Sequence, residues 1–152
     1  MSPVGIGYDS HRFAEGRRLV LGGVEVEHER GLAGHSDADV LTHAVMDALL
    51  GAAGLGDIGT QFPDDEEAWR GADSIDLLRT VVGSIAGRIV NIDVTVVCEQ
   101  PRLGAARAEM ERNIAGATSA RVSVKATSNE GMGWIGRGEG IACLAVAEIT
   151  GE

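Results

Sequence analysis

Basic residues are in short supply in this chain. Lys and Arg together number 13 against 23 Asp and Glu, which gives a formal net charge of -10. A surface so rich in carboxylate repels phosphate backbones and anionic headgroups, so no nucleic acid and no membrane is expected as a partner. Aromatic residues make up only 3% of the chain, and an apolar core must therefore come from Val, Ile, Leu and Ala. Cysteine occurs twice, at Cys98 and Cys143, each inside an apolar strand-like run. Two cysteines make no disulfide framework, and both read as reduced packing residues. No apolar run approaches the ~18 residues needed to span a bilayer. The opening "MSPVGIGYDS" lacks the basic flank and apolar run of a signal peptide. These absences lead us to expect a soluble, cytoplasmic protein.

What is present supports one core. A chain of 152 residues, 44% of them hydrophobic, can bury one substantial interior and leaves little room for a second, so residues 1–152 are expected to form a single domain. Val4, Ile6 and Tyr8 alternate with Gly5, Gly7 and Asp9, a period of two that predicts a strand over 3–9. "LVLGGVEV" reads as a hairpin about Gly22 and Gly23. Ser36 or Asp37 can cap a helix whose apolar positions Val40, Leu41, Ala44, Val45, Ala48, Leu49 and Ala52 follow helical spacing up to Gly54. A second helix is expected from the cap candidate Asp73, burying Leu77, Leu78, Val81 and Ile85. Val90, Ile92, Val94, Val96 and Cys98 share one face of a strand that Pro101 ends. A third helix over 104–116 and strands in "RVSVKATS" and "GIACLAVAEIT" complete the pattern. The order, a hairpin and then helices interleaved with strands, predicts an α+β subunit of two layers, a mixed sheet covered by helices on one side.

Histidine is scarce too, at positions 11, 28, 35 and 43. Residues i and i+2 of a strand point the same way, roughly 6.6 to 6.8 Å apart, so Asp9 and His11 can converge on one ion. His43 is the natural third ligand, projecting from the first helix on the side away from much of its apolar stripe. Asp39 and Asp47, four residues either side, are each placed to accept its spare ring N–H. One carboxylate and two imidazoles leave a coordination position open, as at a catalytic zinc. An ordinary hydrogen-bonded Asp and His explains D-x-H equally well. His35 and Ser36 stand at the mouth of the helix that carries His43, where free N–H groups favour an anion, although simple capping also explains "HSD". In "VKATSNEGMGWIGRGEG", Lys125 is followed by the hydroxyls of Thr127 and Ser128, by Glu130, and by glycines interleaved with Trp134 and Arg137. Such a segment supplies cations and N–H donors for phosphate, with Glu130 a ligand for a hard cation such as Mg2+ or Mn2+. A long glycine-rich connection is the plainer alternative.

Several separated motifs occur in one order along nearly the entire chain: "GYDSHRF", "LGGV", "GLAGHSDADVLTHAVMDALLGAAGLGDIGTQFPD", "GADS", "NIDVTVVCEQPRL" and "VKATSNEGMGWIGRGEGIAC". Together they resemble the 2-C-methyl-D-erythritol 2,4-cyclodiphosphate synthase family of the non-mevalonate isoprenoid pathway. The resemblance implies a homotrimer of α+β subunits with active sites at the interfaces. It implies zinc, or another divalent cation, on Asp9, His11 and His43, and a second ion, Mg2+ or Mn2+, bound through Glu130 on the substrate diphosphate. The implied reaction is intramolecular phosphoryl transfer: the 2-phosphate of 4-diphosphocytidyl-2-C-methyl-D-erythritol 2-phosphate attacks the β-phosphorus and CMP leaves. His35 and Ser128 would stabilise the transferring group.

The other implied roles follow the same motifs. Ser36 would join the phosphate contacts. Asp57, Ile58 and Gly59, with Phe62, Pro63 and Asp64, would meet the methylerythritol. Cys98, Arg102, Leu103 and the loop to Gly104, with Ala126, Thr127 and Asn129, would receive the cytidine diphosphate. Trp134, Arg137 and Glu139 match a region near the trimer axis where some members accept isoprenoid diphosphate. Arg102 stands where lysine is common, Ser128 for threonine, Trp134 for phenylalanine and Gly104 for a bulkier residue, changes that affect fit more than chemistry. Two rival readings fit the ligand set: a non-haem iron oxygenase, which also uses two His and one carboxylate, and a non-catalytic trimer that carries isoprenoid diphosphate or a divalent metal.

Overall fold

The computed structural model describes residues 1–63 and 71–151. Strand β1 runs Val4–Ala14, past the expected end at residue 9, so extended geometry carries through Asp9 and His11. Strands β2 (Leu19–Leu21) and β3 (Val24–Val26) pair antiparallel as the expected hairpin. Gly22 and Gly23 have φ of 58° and 73°, the positive values such a tight turn requires. The two-residue β4 (Gly31–Leu32) is too short to leave a pattern in the sequence.

Helix α1 spans Val40–Ala53 and ends at Gly54 in the left-handed conformation. Its N-cap is Asp39, which accepts from the Thr42 N–H, rather than Ser36 or Asp37. The reason is local: Ser36 and Ala38 have φ of 54° and 56°, so no helical path exists before residue 39. A single turn, α2 (Ile58–Gln61), follows its cap Asp57, and α3 (Ser74–Gly83) starts at the expected cap Asp73. Ile85 lies beyond the end of α3 but still packs on the core.

The remaining elements are β5 (Ile89–Val97), α4 (Ala106–Thr118), β6 (Arg121–Thr127), the single turn α5 (Gly133–Gly136) and β7 (Gly140–Ile149). The third helix starts later than expected because Gly104, with φ of 51°, is outside helical space. On β5 an irregularity between Ile89 and Asn91 shifts the register, so Ile89 and not Val90 joins Ile92, Val94 and Val96 on the dry face.

The sheet order is β4-β1-β7-β5-β6. Only β5 and β6 are parallel, so the sheet is mixed, as the α+β reading expects. α1 lies on β1 and β7, α4 on β6, and α3 against both helices. The core between them is aliphatic, with Leu41, Leu49, Leu50, Leu78, Ile92, Ile114 and Ile141 fully buried. Cys98 and Cys143 are free and buried in it. Among the described residues no helix is long and apolar enough to cross a membrane.

One inversion of pattern organises everything else. On β1 the apolar Val4, Ile6 and Tyr8 are exposed, while Gly5 and Gly7 face α1 and are buried. A Cβ on Gly7 would lie 1.9 Å from the Ala44 carbonyl oxygen, and one on Gly5 2.0 Å from that of Ala48. The helix backbone thus rests directly on the strand backbone. Asp9 and His11 continue the same face of β1 beyond the glycines, toward the N-terminal half of α1 where His43 sits. Replacing Gly7 by Ala puts a methyl against helix backbone that cannot rotate away, and we expect a loss of about 3 kcal/mol in urea unfolding. A wild-type unfolding midpoint would contradict the close approach.

Candidate metal centre and adjoining cavities

Asp9, His11 and His43 converge. Their ligand atoms all lie within 4.8 Å of one another, the one such group of three or more His, Cys, Asp or Glu among the described residues. Asp9 Oδ2 is 2.9 Å from His11 Nε2 and 3.2 Å from His43 Nδ1. The other nitrogen of each ring is anchored. His11 Nδ1–H donates to the Ala33 carbonyl at 2.6 Å, so in the metal-free protein the protonated ring also donates Nε2–H to Asp9, and Nε2 is the nitrogen whose proton a metal ion would displace. His43 Nε2 is 3.2 Å from both Ser36 Oγ and Ser74 Oγ. Two imidazoles, held in orientation by bonds on their far sides, and one carboxylate form a donor set suited to a divalent transition ion.

The acids flanking His43 do not orient it, contrary to expectation. Asp39 is fully buried and accepts from the N–H groups of Gly22, Gly23 and Thr42 and from the Thr42 hydroxyl, tying the hairpin to the start of α1. Burial pushes its carboxyl up from the usual range, partly offset by those bonds. Asp47 accepts from Ile58 N–H and so fastens α2 to α1. His43 does not project from an open side either: α1 is buried nearly all round, and His43 is 8% exposed. Two serines do what the sequence assigned to acids. Ser74 carried a signal only as part of the motif "GADS", and its neighbour Asp37 only as a cap candidate, a role that falls to Asp39.

Burial works against the charge on Asp9, but hydrogen bonds from His11 and His43 and their charges outweigh it and hold the carboxyl down at about 2. For His11 burial also opposes charge, and the Asp9 bond and charge outweigh it and raise the imidazole above its usual value.

The cluster lies on the wall of a cavity of about 310 Å³ that His35, Ser36, Ile58, Gly59 and Phe62 also line, over an apolar floor of Met46 and Leu77. Asp57 is not on that wall: exposed, it caps α2 through Thr60, whose N–H and hydroxyl lower its carboxyl. Pro63 follows Phe62 in the chain, and Asp64 falls outside the described residues. Arg17, which drew no attention in the sequence, donates to the carbonyls of Gly34 and Ser36 and lines a shallower hollow with His35 and Ser36.

A second cavity, of about 470 Å³, gathers Cys98, Arg102, Leu103, Gly104, Ala126, Thr127 and Ser128. Cys98 is no nucleophile there, since burial lifts its thiol to about 11. Ser128 donates to Glu130 Oε2 at 3.0 Å, and the Asn129 N–H donates to Glu99 at 2.7 Å, pinning this loop to the end of β5. Trp134, Arg137 and Glu139 line a third hollow with Arg12, Phe13 and Arg30. Within one chain, therefore, the Asp9 cluster with His35 lines one concavity and Ser128 another, and Asn129 and Glu130 line neither.

An α+β protein with a His/His/carboxylate cluster in a cavity wall is of the class whose fold could hold a metal ion there. The model of the YgbB family matches residues 3–150, and the chain belongs to that family. A 2-C-methyl-D-erythritol 2,4-cyclodiphosphate synthase of Symbiobacterium thermophilum is 59% identical over 155 residues, covering 98% of this chain and 99% of that protein. The structure of the bifunctional IspDF from Campylobacter jejuni superposes with a TM-score of 0.92 at 42% identity, over 97% of this chain and 42% of that one. The CDP complex of IspF from Plasmodium falciparum gives a TM-score of 0.84 at 31% identity, covering 99% and 97%.

The Asp9–His11 pair has a pH signature in the metal-free protein. Asp9, at about 2 when folded against 3.8 unfolded, contributes stability that is present above pH 3.8 and lost as pH falls through about 2. His11, raised above 6.5, contributes stability that is complete below pH 6.5 and lost as pH rises through its folded value. Both describe one interaction seen from its two partners. Urea unfolding of the metal-free chain and of Asp9→Asn should show a wild-type advantage, on the order of 2 kcal/mol, that is greatest between those limits and shrinks beyond either. A difference that ignores pH would rule out the ion pair.

Proposed function

We infer that this chain catalyses formation of 2-C-methyl-D-erythritol 2,4-cyclodiphosphate from 4-diphosphocytidyl-2-C-methyl-D-erythritol 2-phosphate, releasing CMP, in isoprenoid precursor biosynthesis. The observation that carries the reading is the convergence of Asp9, His11 and His43 in a cavity lined by the very motifs through which the chain resembles its relatives. The 59% identity to a synthase that the match covers to 99% supports it. It also disfavours the iron oxygenase, which shares only the ligand set. A cytidine diphosphate-linked substrate agrees with the CDP found in the IspF complex.

In this reading one P–O bond forms, from the 2-phosphate oxygen to the β-phosphorus, and one breaks, from that phosphorus to the oxygen CMP carries away. Anion attacks anion, so positioning and charge neutralisation dominate. Asp9, His11 and His43 would hold zinc and Glu130 would hold Mg2+ or Mn2+, ions that would supply Lewis-acid polarisation of phosphate oxygens when bound. His35 and Ser36 hold phosphate beside the cluster, and Ser128 contacts the transferring group from the other side. Ile58, Gly59 and Phe62 line the cavity that would take the methylerythritol, and Asp57, Pro63 and Asp64, their neighbours in sequence, are assigned to the same ligand by the resemblance alone. Cys98, Arg102, Leu103, Ala126, Thr127 and Asn129 receive the nucleotide. No protein nucleophile is required.

We take residues 1–152 as one domain, acting in the cytoplasm as a homotrimer. Two features support the trimer. Val4, Ile6, Tyr8, Leu144 and Val146 form an exposed apolar face on β1 and β7, of the kind that marks an interaction surface. The two cavities that share the proposed chemistry are separate within one chain, so joining copies would complete the site. The hollow at Trp134 and Arg137 would then lie near the axis and is the candidate place for an isoprenoid diphosphate.

Phosphorus NMR of the reaction should show cyclic diphosphate signals and free CMP; intact substrate after long incubation with zinc and magnesium would favour the non-catalytic carrier. Replacing His43 by Ala should abolish zinc binding and cyclisation while the far-UV circular dichroism stays native, and undiminished turnover would remove the metal assignment. Glu130→Gln should lower turnover at least tenfold with zinc content intact, and parallel zinc loss would show that Glu130 serves the other ion.

A further inference from the structure

We propose that Ser74, with Asp37 behind it, is a positioning residue for the metal centre: it accepts the Nε2 proton of His43 and so makes Nδ1, on the side of Asp9 and His11, the nitrogen that a metal ion receives. The inference rests on reading Asp9, His11 and His43 as a metal centre. It gives a role to "GADS", a motif that the proposed chemistry does not use.

The assignment follows from counting protons. Asp37 accepts from three groups: the Ser74 N–H at 3.0 Å, the Asp39 N–H at 3.1 Å, and the Ser74 hydroxyl. A carboxylate only accepts, and a serine has one hydroxyl proton, so that proton is committed to Asp37. Ser74 Oγ then offers nothing but lone pairs to His43 Nε2, 3.2 Å away. A hydrogen bond across that gap requires the proton on Nε2. In the metal-free protein Nδ1–H can also donate to Asp9 Oδ2, 3.2 Å away; once a metal ion takes its place the neutral ring carries one N–H, and with that proton held on Nε2 the Nδ1 lone pair is the one the ion receives.

His11 reaches the same state with its nitrogens exchanged. The Ala33 carbonyl fixes its Nδ1–H and leaves Nε2 for the ion. Ser36 Oγ also lies 3.2 Å from His43 Nε2. Of these two serines, however, only Ser74 has a carboxylate on its hydroxyl among the described residues. Ser36 alone can turn its proton either way, donating to Nε2 as readily as accepting from it. With Ser74 fixing the ring, the Ser36 proton is released for a ligand in the cavity it lines. Ser74 is completely buried at the first position of α3, so its contact with His43 is built into the packing of α3 on α1.

The test uses zinc alone as probe. Chelator-competition titrations would compare the metal-free wild type with Ser74→Ala and Ser74→Thr, and 15N-edited spectra of histidine rings in the zinc-loaded proteins would locate the ring protons. Wild type should show a slowly exchanging His43 Nε2–H with Nδ1 shifted by metal. Ser74→Ala should bind zinc about 10- to 100-fold more weakly, with that proton exchanging fast, and Ser74→Thr should restore both properties. Unchanged affinity and an unchanged ring proton in Ser74→Ala would overturn the proposal and leave the metal centre standing. A His43 proton on Nδ1 in the zinc-loaded wild type would overturn it even if the variants fail to fold. Failure of wild type to bind zinc would overturn the metal reading itself, and this inference with it.

Discussion

The contact on which the rest depends is between two backbones. Helix α1 can lie on β1 only because residues 5 and 7 have no side chain, and the added Cβ distances near 2 Å show that even alanine is excluded. Two consequences follow. The strand turns its apolar residues outward, against the usual sense of a half-buried strand, and the next same-face positions carry Asp9 and His11 up to the helix. His43 precedes Ala44, the residue whose carbonyl Gly7 accommodates, so the packing that seats the helix also sets its histidine within reach of the strand's ligands. Metal centre and core packing are one piece of geometry.

The acids of this chain divide by what satisfies them. Asp39 is dry and receives four donors, so burial, which favours its neutral form, is opposed by hydrogen bonds that favour the anion. Its work is structural. Asp9 is partly wet and faces two imidazoles, and against its burial the hydrogen bonds from His11 and His43 hold its carboxyl down, with their charges adding to the effect. Asp37 stands between these roles, accepting from two backbone N–H groups and from the serine that touches His43. Carboxylates of one chemical type thus serve as helix cap, candidate metal ligand and support, according to the donors that the fold brings to each.

How far the sequence could be read follows from these particulars. Period two, helical spacing and Gly-Gly turn chemistry are local, and they placed β1, the hairpin, α1, α3, β5, β6 and β7 close to where they lie. D-x-H on a strand is local as well, and it pointed to Asp9 and His11. The start of α1 was not legible, because Ser36 and Ala38 adopt a left-handed backbone that neither residue type demands. Nor was the choice of Ser36 and Ser74 over Asp39 and Asp47 around His43, which depends on α3 packing against α1 from 31 positions away. The one-residue irregularity on β5 left no mark among its alternating apolar residues. Long-range packing decides such details, and spacing within one segment does not contain it.

A chain with net charge -10 that is proposed to handle a substrate bearing several phosphates must supply positive potential locally. It does so with few residues. Arg17 inserts its guanidinium between the carbonyls of Gly34 and Ser36, the segment that presents His35 and Ser36 to the cavity, so the charge is fixed to the loop that would meet phosphate. Arg102 and Arg107 border the separate groove proposed for the nucleotide, and Arg12, Arg30 and Arg137 border the third hollow. Lys125, which the sequence offered as a phosphate cation, is instead paired with Asp93 at 2.6 Å on the surface of the sheet. Arg137 is in turn paired with Glu139 at 2.6 Å, so in the proposed reading Arg17 and the arginines of the nucleotide groove are the cations left to offset an acidic background where phosphate would bind.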